Sequence, residues 1–289
     1  MALDYYRPDT TEDALSWLAS HVGQARTIAA GCTDLLAATP NSGLSGPVLD
    51  LTGINEMRGI AEQPDAWRIG AATTWTDIIR HPLPPAFDAL KLAAREVGSV
   101  QIQNAATIAG NLCNASPAAD GAPCLLGLDA SVELASVEGV RPLPLDAFIL
   151  GPRRTALRPD EIVSAIVVPK TAARGVSTFL KLGARKYLVI SIAMVSARLV
   201  IESGMVSDAA IAVGACSPVA RRLDAVESRL RGTSVDAALA SLATDALVAE
   251  TLSPIDDVRA DAAYRSHSAA ELVRRAIAAI TTPGREVAA

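Results

Sequence analysis

Residues 100–120 read VQIQNAATIAGNLCNASPAAD. Small residues dominate the run: Ala105, Ala106, Ala109, Gly110, Ala115, Ala118 and Ala119. Between them stand short polar residues, Asn104, Thr107, Asn111, Asn114 and Ser116, and Asp120 closes the stretch. Such a segment lets backbone approach a bulky polar partner closely while offering many N–H, amide and hydroxyl groups. A phosphate-bearing cofactor is one such partner. A tightly packed loop is the other reading, and composition alone favours neither.

A second segment of this character lies upstream. Thr27 to Ala30 reads as a buried strand running into Gly31-Cys32-Thr33-Asp34-Leu35-Leu36. Strand, glycine turn and polar residues is the order in which successive N–H groups form an anion-binding nest. No Gly-Lys-Ser/Thr follows, so this is not a P-loop, and no GxGxxG dinucleotide fingerprint occurs in the chain.

Around these two segments the pattern is mixed. Asp9 with Glu12 reads as a helix start, followed by Ala14, Leu15, Leu18 and Val22 at helical spacing. Arg58 to Ala61 and Trp67 to Gly70 read as a hairpin, as do Ser131 to Val137 and Val140 to Leu143. Thr74 and Asp77 read as caps of a helix that the prolines at 82, 84 and 85 end. A further helix covers 86–97, and Glu161 to Val168 is a strand closed by Pro169. A composition shift at 171–175 marks a domain boundary. Beyond it 177–183, 188–201 and 205–213 are β-rich, and 222–230, 235–248 and 261–280 are helical. The tail from Thr281 reads as frayed. Without regular strand–helix alternation, the expectation is α+β rather than a doubly wound parallel sheet.

Composition narrows the function. At 289 residues, half of them hydrophobic, the chain supports about two domains with sizeable cores. Aromatics at 3% are too few for a base-stacking surface, and a net charge of −5 with no long basic run argues against nucleic acid. Cys32, Cys113, Cys124 and Cys216 show no CxxC spacing, and His21, His81 and His267 lie far apart, so neither a zinc nor an iron–sulfur site is read. The N-terminus has no signal-peptide pattern. The most apolar stretch, Leu188 to Val200, is interrupted by Ser191, Ser196 and Arg198 and is too short to span a bilayer. A cytoplasmic protein with reduced thiols and no membrane insertion is expected.

Taken singly, Gly31 and Gly110 read first as turn residues, Asp120 as a helix cap, and Lys181 with Arg185 as a solvated strand edge. Together, and in this order, DYYRP at the start, AAGCTDLL at 29–36, TIAGNLCNASPAAD at 107–120 and KLGARKYLVISIA at 181–193 resemble one family. It is the FAD-binding (medium) subunit of the molybdenum hydroxylases, the group of xanthine dehydrogenase and aerobic carbon monoxide dehydrogenase. SPIDDVRADAAYRSHSAAELVRRAI at 253–277 resembles the family's C-terminal signature.

The resemblance implies a PCMH-type FAD-binding domain of two α/β subdomains over 1–173. A C-terminal domain of a three-stranded antiparallel sheet with helices would follow over 174–289. It places FAD between two loops whose backbone N–H groups hold the pyrophosphate. Here these loops are Ala29, Ala30, Gly31, Cys32, Thr33, Asp34 and Leu35, and Thr107, Ala109, Gly110 and Asn111. Preorganised N–H donors suit a diphosphate without a lysine. By the same correspondence Asn114, Ser116 and Asp120 lie near the ribityl chain, Val163 in the 161–163 strand near the adenine, Lys181 at the flavin edge, and Tyr187 beside the isoalloxazine. The family often has Gly-Gly in both loops. Cys32 and Ala109 carry a Cβ, which disfavours φ > 0 there. Cys32 is expected to be a packing thiol, the FAD non-covalent, and no side chain catalytic.

The implied task is electron transfer. The flavin subunit would accept electrons from a [2Fe-2S] small subunit, served in turn by a molybdopterin-binding large subunit, and pass them to an external acceptor. The expected assembly is a dimer of heterotrimers. Two rival readings are a stand-alone PCMH-type flavin oxidase and a cofactor-free scaffold subunit. The absence of histidine from the flavin motifs counts against the first, and the retained Thr107, Gly110, Asn111, Ser116 and Asp120 count against the second.

Overall fold

The protein is described by a computed structural model covering residues 3–39 and 43–282; the expected frayed tail falls mostly on 283–289, outside the described residues. The chain begins with an edge strand, Leu3–Tyr6, parallel to Gly46–Asp50, which pairs on its other side with Thr27–Ala29. Parallel strands of one sheet need a crossover, and the helix Thr11–Ser20 joins the two outer strands, Leu3–Tyr6 and Thr27–Ala29. Its cap is Thr10, whose Oγ1 accepts from Asp13 N at 3.1 Å. This is one residue beyond the expected Asp9–Glu12 pair, because Thr10 holds the extended backbone an N-cap needs. Ala14 and Leu18, four apart on one helix face, are buried in the same core as Leu49. Val22 lies past the helix end and is exposed.

A five-stranded antiparallel sheet comes next, ordered Ile60–Glu62, Ala66–Gly70, Ile162–Pro169, Ser131–Ser136 and Gly139–Pro144. Both expected hairpins are present within it. Thr74 and Asp77 form a reciprocal capping box on Trp75–Arg80, with N···O distances of 3.2 and 3.0 Å. The helix Asp88–Glu96 buries Ala89, Leu90, Ala93 and Ala94.

Residues 100–120 are mostly helical rather than loop. Val100–Ala105 is capped by Ser99 and Ile108–Asn114 by Thr107, and the fully buried helix Gly121–Gly127 comes straight after. Alanine is the best helix former, and hydroxyl caps set both starts. The small residues therefore let short helices pack closely.

The last unit is an antiparallel sheet of three long strands, Val176–Leu182, Ala193–Glu202 and Met205–Gly214, with a two-residue fourth strand, Arg221–Arg222. Helices Asp224–Leu230, Asp245–Ala249 and Ala262–Thr281 pack on it around Val195, Leu199, Ile211, Val273 and Ile277. The single helix expected over 235–248 is instead a 3₁₀ turn, Leu239–Leu242, and a separate helix. Thr244 takes extended backbone and caps Asp245–Ala249.

The units are locked together by buried polar contacts. Ser177 Oγ donates to Ala86 O at 2.8 Å and accepts from Ala89 N at 2.8 Å. Arg198, 2% exposed, donates to Gly127 O and to Asp208, both at 2.9 Å. Phe179, Met194 and Ala212 of the last sheet belong to the core of the preceding unit. Among the described residues no helix is long and apolar enough to cross a membrane.

Candidate functional site

The turn after Thr27–Ala29 runs directly against the end of Val100–Ala105. A Cβ on Gly31 would stand 2.1 Å from Ala105 O and 2.7 Å from Ala106 Cα. Glycine is needed here by the contact of two backbones, not by its φ. The junction forms one side of a cleft of about 710 Å³, within the range of small-molecule sites.

The first wall is the 30–35 turn. Cys32 has φ +58°, so it adopts the left-handed backbone that its Cβ disfavours. Its Sγ donates to Ala30 O at 3.2 Å, and Leu36 N donates to Cys32 O at 3.0 Å, which together hold the turn. Burial, reinforced by the nearby Asp50 carboxylate, pushes the Cys32 thiol up, so it is not an activated nucleophile. Among the described residues, no acceptor pairs with the backbone N–H of Cys32, Thr33, Asp34 or Leu35. All four residues line the cleft.

The second wall is Ile108–Asn114 together with the 115–120 segment. Its helical N–H groups, expected as a second set of anion donors, are already engaged. Ile108 N donates to Thr73 O at 3.0 Å, Ala109 N to Ala71 O at 3.3 Å, and Asn111 N to Thr107 O at 3.0 Å. Gly110 N donates to Thr107 Oγ1 at 3.1 Å, and a Cβ on Gly110 would come within 2.8 Å of that oxygen. This wall offers a ligand its side chains instead: the Thr107 hydroxyl proton, Asn111, Asn114 and Ser116, all lining the cleft.

The far end is closed by three residues from two units. Lys181 Nζ donates to Asp120 Oδ2 and Ser191 Oγ to Asp120 Oδ1, both at 2.7 Å. The Lys181 and Asp120 side chains are each 8% exposed. Burial pushes the Asp120 carboxyl up while Lys181 and Ser191 pull it back, with a net rise. Each carboxylate oxygen keeps a lone pair for one further donor.

Ala30 to Leu35, Thr107, Gly110, Asn111, Asn114, Ser116, Asp120 and Lys181 therefore share one cleft. Four other residues singled out from the sequence lie outside its lining. Ala29 ends the strand behind the turn, Ala109 is buried in the core, Val163 is buried in Ile162–Pro169, and Tyr187 is exposed on the 183–192 loop. Beside Val163, Glu161 is held below the usual carboxylate range by Arg141, bonded at 2.5 and 2.8 Å.

Sequence reasoning missed Trp75, Arg153, Val189 and Ile190 in the lining, and Ser191 behind it. Arg153 has φ +58°; its N–H donates to Ala115 O at 2.9 Å, and its Nη1 donates to the Asn114 carbonyl at 3.1 Å and to the Asn114 side chain. Nothing in Gly-Pro-Arg-Arg-Thr signals this, because the approach to Asn114 is non-local. Left-handed non-glycine residues gather here: Cys32 and Arg153 line the cleft, while Ala115 and Leu188 each adjoin a lining residue. Such backbone is characteristic of binding sites. The three histidines lie elsewhere, His21 stacked on Trp17, His81 against Trp67 and His267 beside Asp245.

Residues 1–171 match the family described as the FAD binding domain in molybdopterin dehydrogenase, and 178–280 match the CO dehydrogenase flavoprotein C-terminal domain. The chain belongs to this family of molybdenum hydroxylase flavoproteins. Among its relatives, the nicotinate dehydrogenase FAD-subunit of Eubacterium barkeri is 37% identical over 65% of this chain and 66% of its own length. The xanthine dehydrogenase FAD-binding subunit of Escherichia coli O157:H7 is 29% identical over 94% of both chains. In three dimensions the chain superposes on a chain of carbon monoxide dehydrogenase from Hydrogenophaga pseudoflava, solved without the Mo-pyranopterin moiety. The TM-score is 0.87 with 27% identity, over 97% of both chains. The flavoprotein fold is thus shared nearly end to end.

Proposed function

We propose that this chain is the FAD-binding, electron-transferring subunit of a molybdenum hydroxylase. The observation that carries this reading is the row of four N–H groups, Cys32 to Leu35, without an acceptor among the described residues, on residues that line a cleft closed by the Asp120–Lys181 pair. Neutral backbone donors suit a diphosphate, and hydroxyl and amide side chains with a buried carboxylate suit a polyol chain.

In this reading the 29–35 turn holds the pyrophosphate, with Thr107, Gly110 and Asn111 opposite it. Asn114, Ser116 and Asp120 receive the ribityl hydroxyls, and Lys181 stands at the flavin edge. Tyr187 and Val163 act from the periphery, and Ala109 supports the second wall from behind. Bound FAD supplies a two-electron store that exchanges electrons with a one-electron carrier; the chain binds, orients and shields it. The electrons come from a [2Fe-2S] small subunit served by a molybdopterin large subunit, in a dimer of heterotrimers in the cytoplasm. A unit boundary at 173/174 is supported by family matches that end at 171 and resume at 178. The placement of all three histidines away from the cleft favours this over a stand-alone oxidase with a histidyl-linked flavin.

The test is direct. The purified protein, alone or with its partner subunits, is expected to be yellow and to release FAD into the supernatant on acid precipitation. A colourless protein that takes up no added FAD refutes the reading, and colour kept in the pellet refutes non-covalent binding.

A further inference from the structure

Arg265, in the C-terminal helix Ala262–Thr281, does not line the cleft, yet it reaches both segments that close it. The residue is 2% exposed in a chain where most arginines lie at the surface. Its Nη1 donates to Ile192 O at 2.6 Å and to Ala215 O at 3.1 Å, and its Nη2 to Asp257 Oδ1 at 2.7 Å.

Each carbonyl belongs to a short path to the cleft. Ile192 directly follows Ser191, whose hydroxyl orients Asp120, and it ends the loop that brings Val189 and Ile190 into the lining. Its own N–H donates to Leu182 O at 2.8 Å, next to Lys181. Ala215 sits at φ +63°, and its N–H donates at 3.0 Å to Pro117 O, inside the 114–120 segment. One guanidinium thus holds the closed far end of the cleft through Ile192 and the second wall through Ala215.

The arrangement leaves Arg265 Nε buried without a partner. A buried unsatisfied donor is rare in native proteins, and here the fork is set for the two carbonyls and Asp257 at the expense of the third nitrogen. Asp257 is in turn fixed by Arg259 N at 2.8 Å and Arg259 Nη1 at 2.7 Å. The fork is therefore braced by hydrogen bonds from the 253–260 loop.

We propose that Arg265 is a positioning residue for the cofactor cleft. It sets the separation and orientation of the 183–192 loop and the 114–120 segment, and through Ser191 the orientation of the Asp120 carboxylate. A lysine cannot replace it, because one ammonium cannot span two carbonyls and a carboxylate in a planar fork. The inference rests on the FAD reading for its binding consequence, but not for its structural one.

The experiment compares Arg265→Lys and Asp257→Asn with Val273→Ala, a truncation in the same helix whose core cluster includes no residue of 183–192 or 114–120. Hydrogen–deuterium exchange of peptides covering 183–192 and 114–120, and FAD affinity by flavin fluorescence titration, are measured on the full chain. Both fork variants are expected to exchange faster in the two segments and to bind FAD more weakly, by about 2- to 30-fold. Val273→Ala is expected to lower thermal stability without either change. Exchange in Arg265→Lys and Asp257→Asn matching that in Val273→Ala overturns the proposal. If the wild-type chain takes up no FAD, the functional reading fails, and the exchange comparison still decides this one.

Discussion

Replacing Gly31 by alanine is the sharpest perturbation of the cleft. The new Cβ would stand 2.1 Å from Ala105 O and 2.7 Å from both Ala105 C and Ala106 Cα. Ordinary contact begins near 3.4 Å, so one backbone must retreat by about 1.3 Å, where repulsion is steep. Neither side yields easily. Ala105 ends a helix whose next N–H, Ala106, donates to Ile102 O at 2.7 Å, and Gly31 is followed by the constrained left-handed Cys32. Overpacking of this kind costs about 1–3 kcal/mol. Expressed fully in binding, that is a loss of FAD affinity of about 5- to 150-fold. The free protein relaxes by parting the two walls, so thermal stability falls modestly while ligand-induced stabilisation falls further. The assay is a fluorescence titration of the apoprotein with FAD, paired with thermal unfolding with and without saturating FAD. Gly127→Ala is the control, since its Cβ meets only Ser196 Oγ at 3.5 Å, inside a helix that favours alanine. Gly31→Ala binding FAD within twofold of wild type would refute the claim that this contact sets the cleft.

Other perturbations separate stability from cofactor binding. Asp120→Ala leaves the buried Lys181 ammonium unpaired and is expected to cost about 3–5 kcal/mol in denaturant unfolding, FAD or not. Asp120→Ala combined with Lys181→Met should recover most of that loss, and a single-variant cost below about 1 kcal/mol contradicts the buried pairing. Cys32→Gly relieves a left-handed residue and loses one weak sulfur contact. Its stability is expected within about 1 kcal/mol of wild type, with FAD binding retained; a large loss of either assigns the thiol a further role. Asp257 is pulled down to about 2 by the Arg259 N–H and by Arg265. A depressed carboxylate stabilises the fold above its unfolded value and ceases to do so as pH falls through its folded one. Its contribution should therefore be complete above pH about 4 and fade toward pH 2. Asp257→Asn should flatten the stability profile in that window, and an unchanged profile would dissociate Asp257 from acid unfolding.

Sequence alone is sufficient where structure is local. The Thr74–Asp77 box, the two hairpins and the long C-terminal strands follow from residues a few positions apart, through capping chemistry, turn residues and apolar runs. The motif segments at 29–36, 107–120 and 181–193 also carry the family resemblance, and most residues singled out in them share one cleft. Tertiary structure decides which atoms remain available there. In sequence the 108–111 N–H groups look equivalent to those of the 31–35 turn, but Thr73, Ala71 and Thr107 consume them, and only tertiary packing brings Ala71 and Thr73 within reach. Gly31 is required by a helix end some seventy positions away, and Arg153, Ser191 and Arg265 act through carbonyls or carboxylates that no spacing rule connects to them. Local propensity fixes where elements begin and end. Hydrogen-bond satisfaction across elements fixes which groups are left to hold a cofactor, and that depends on contacts formed only when the units close on one another.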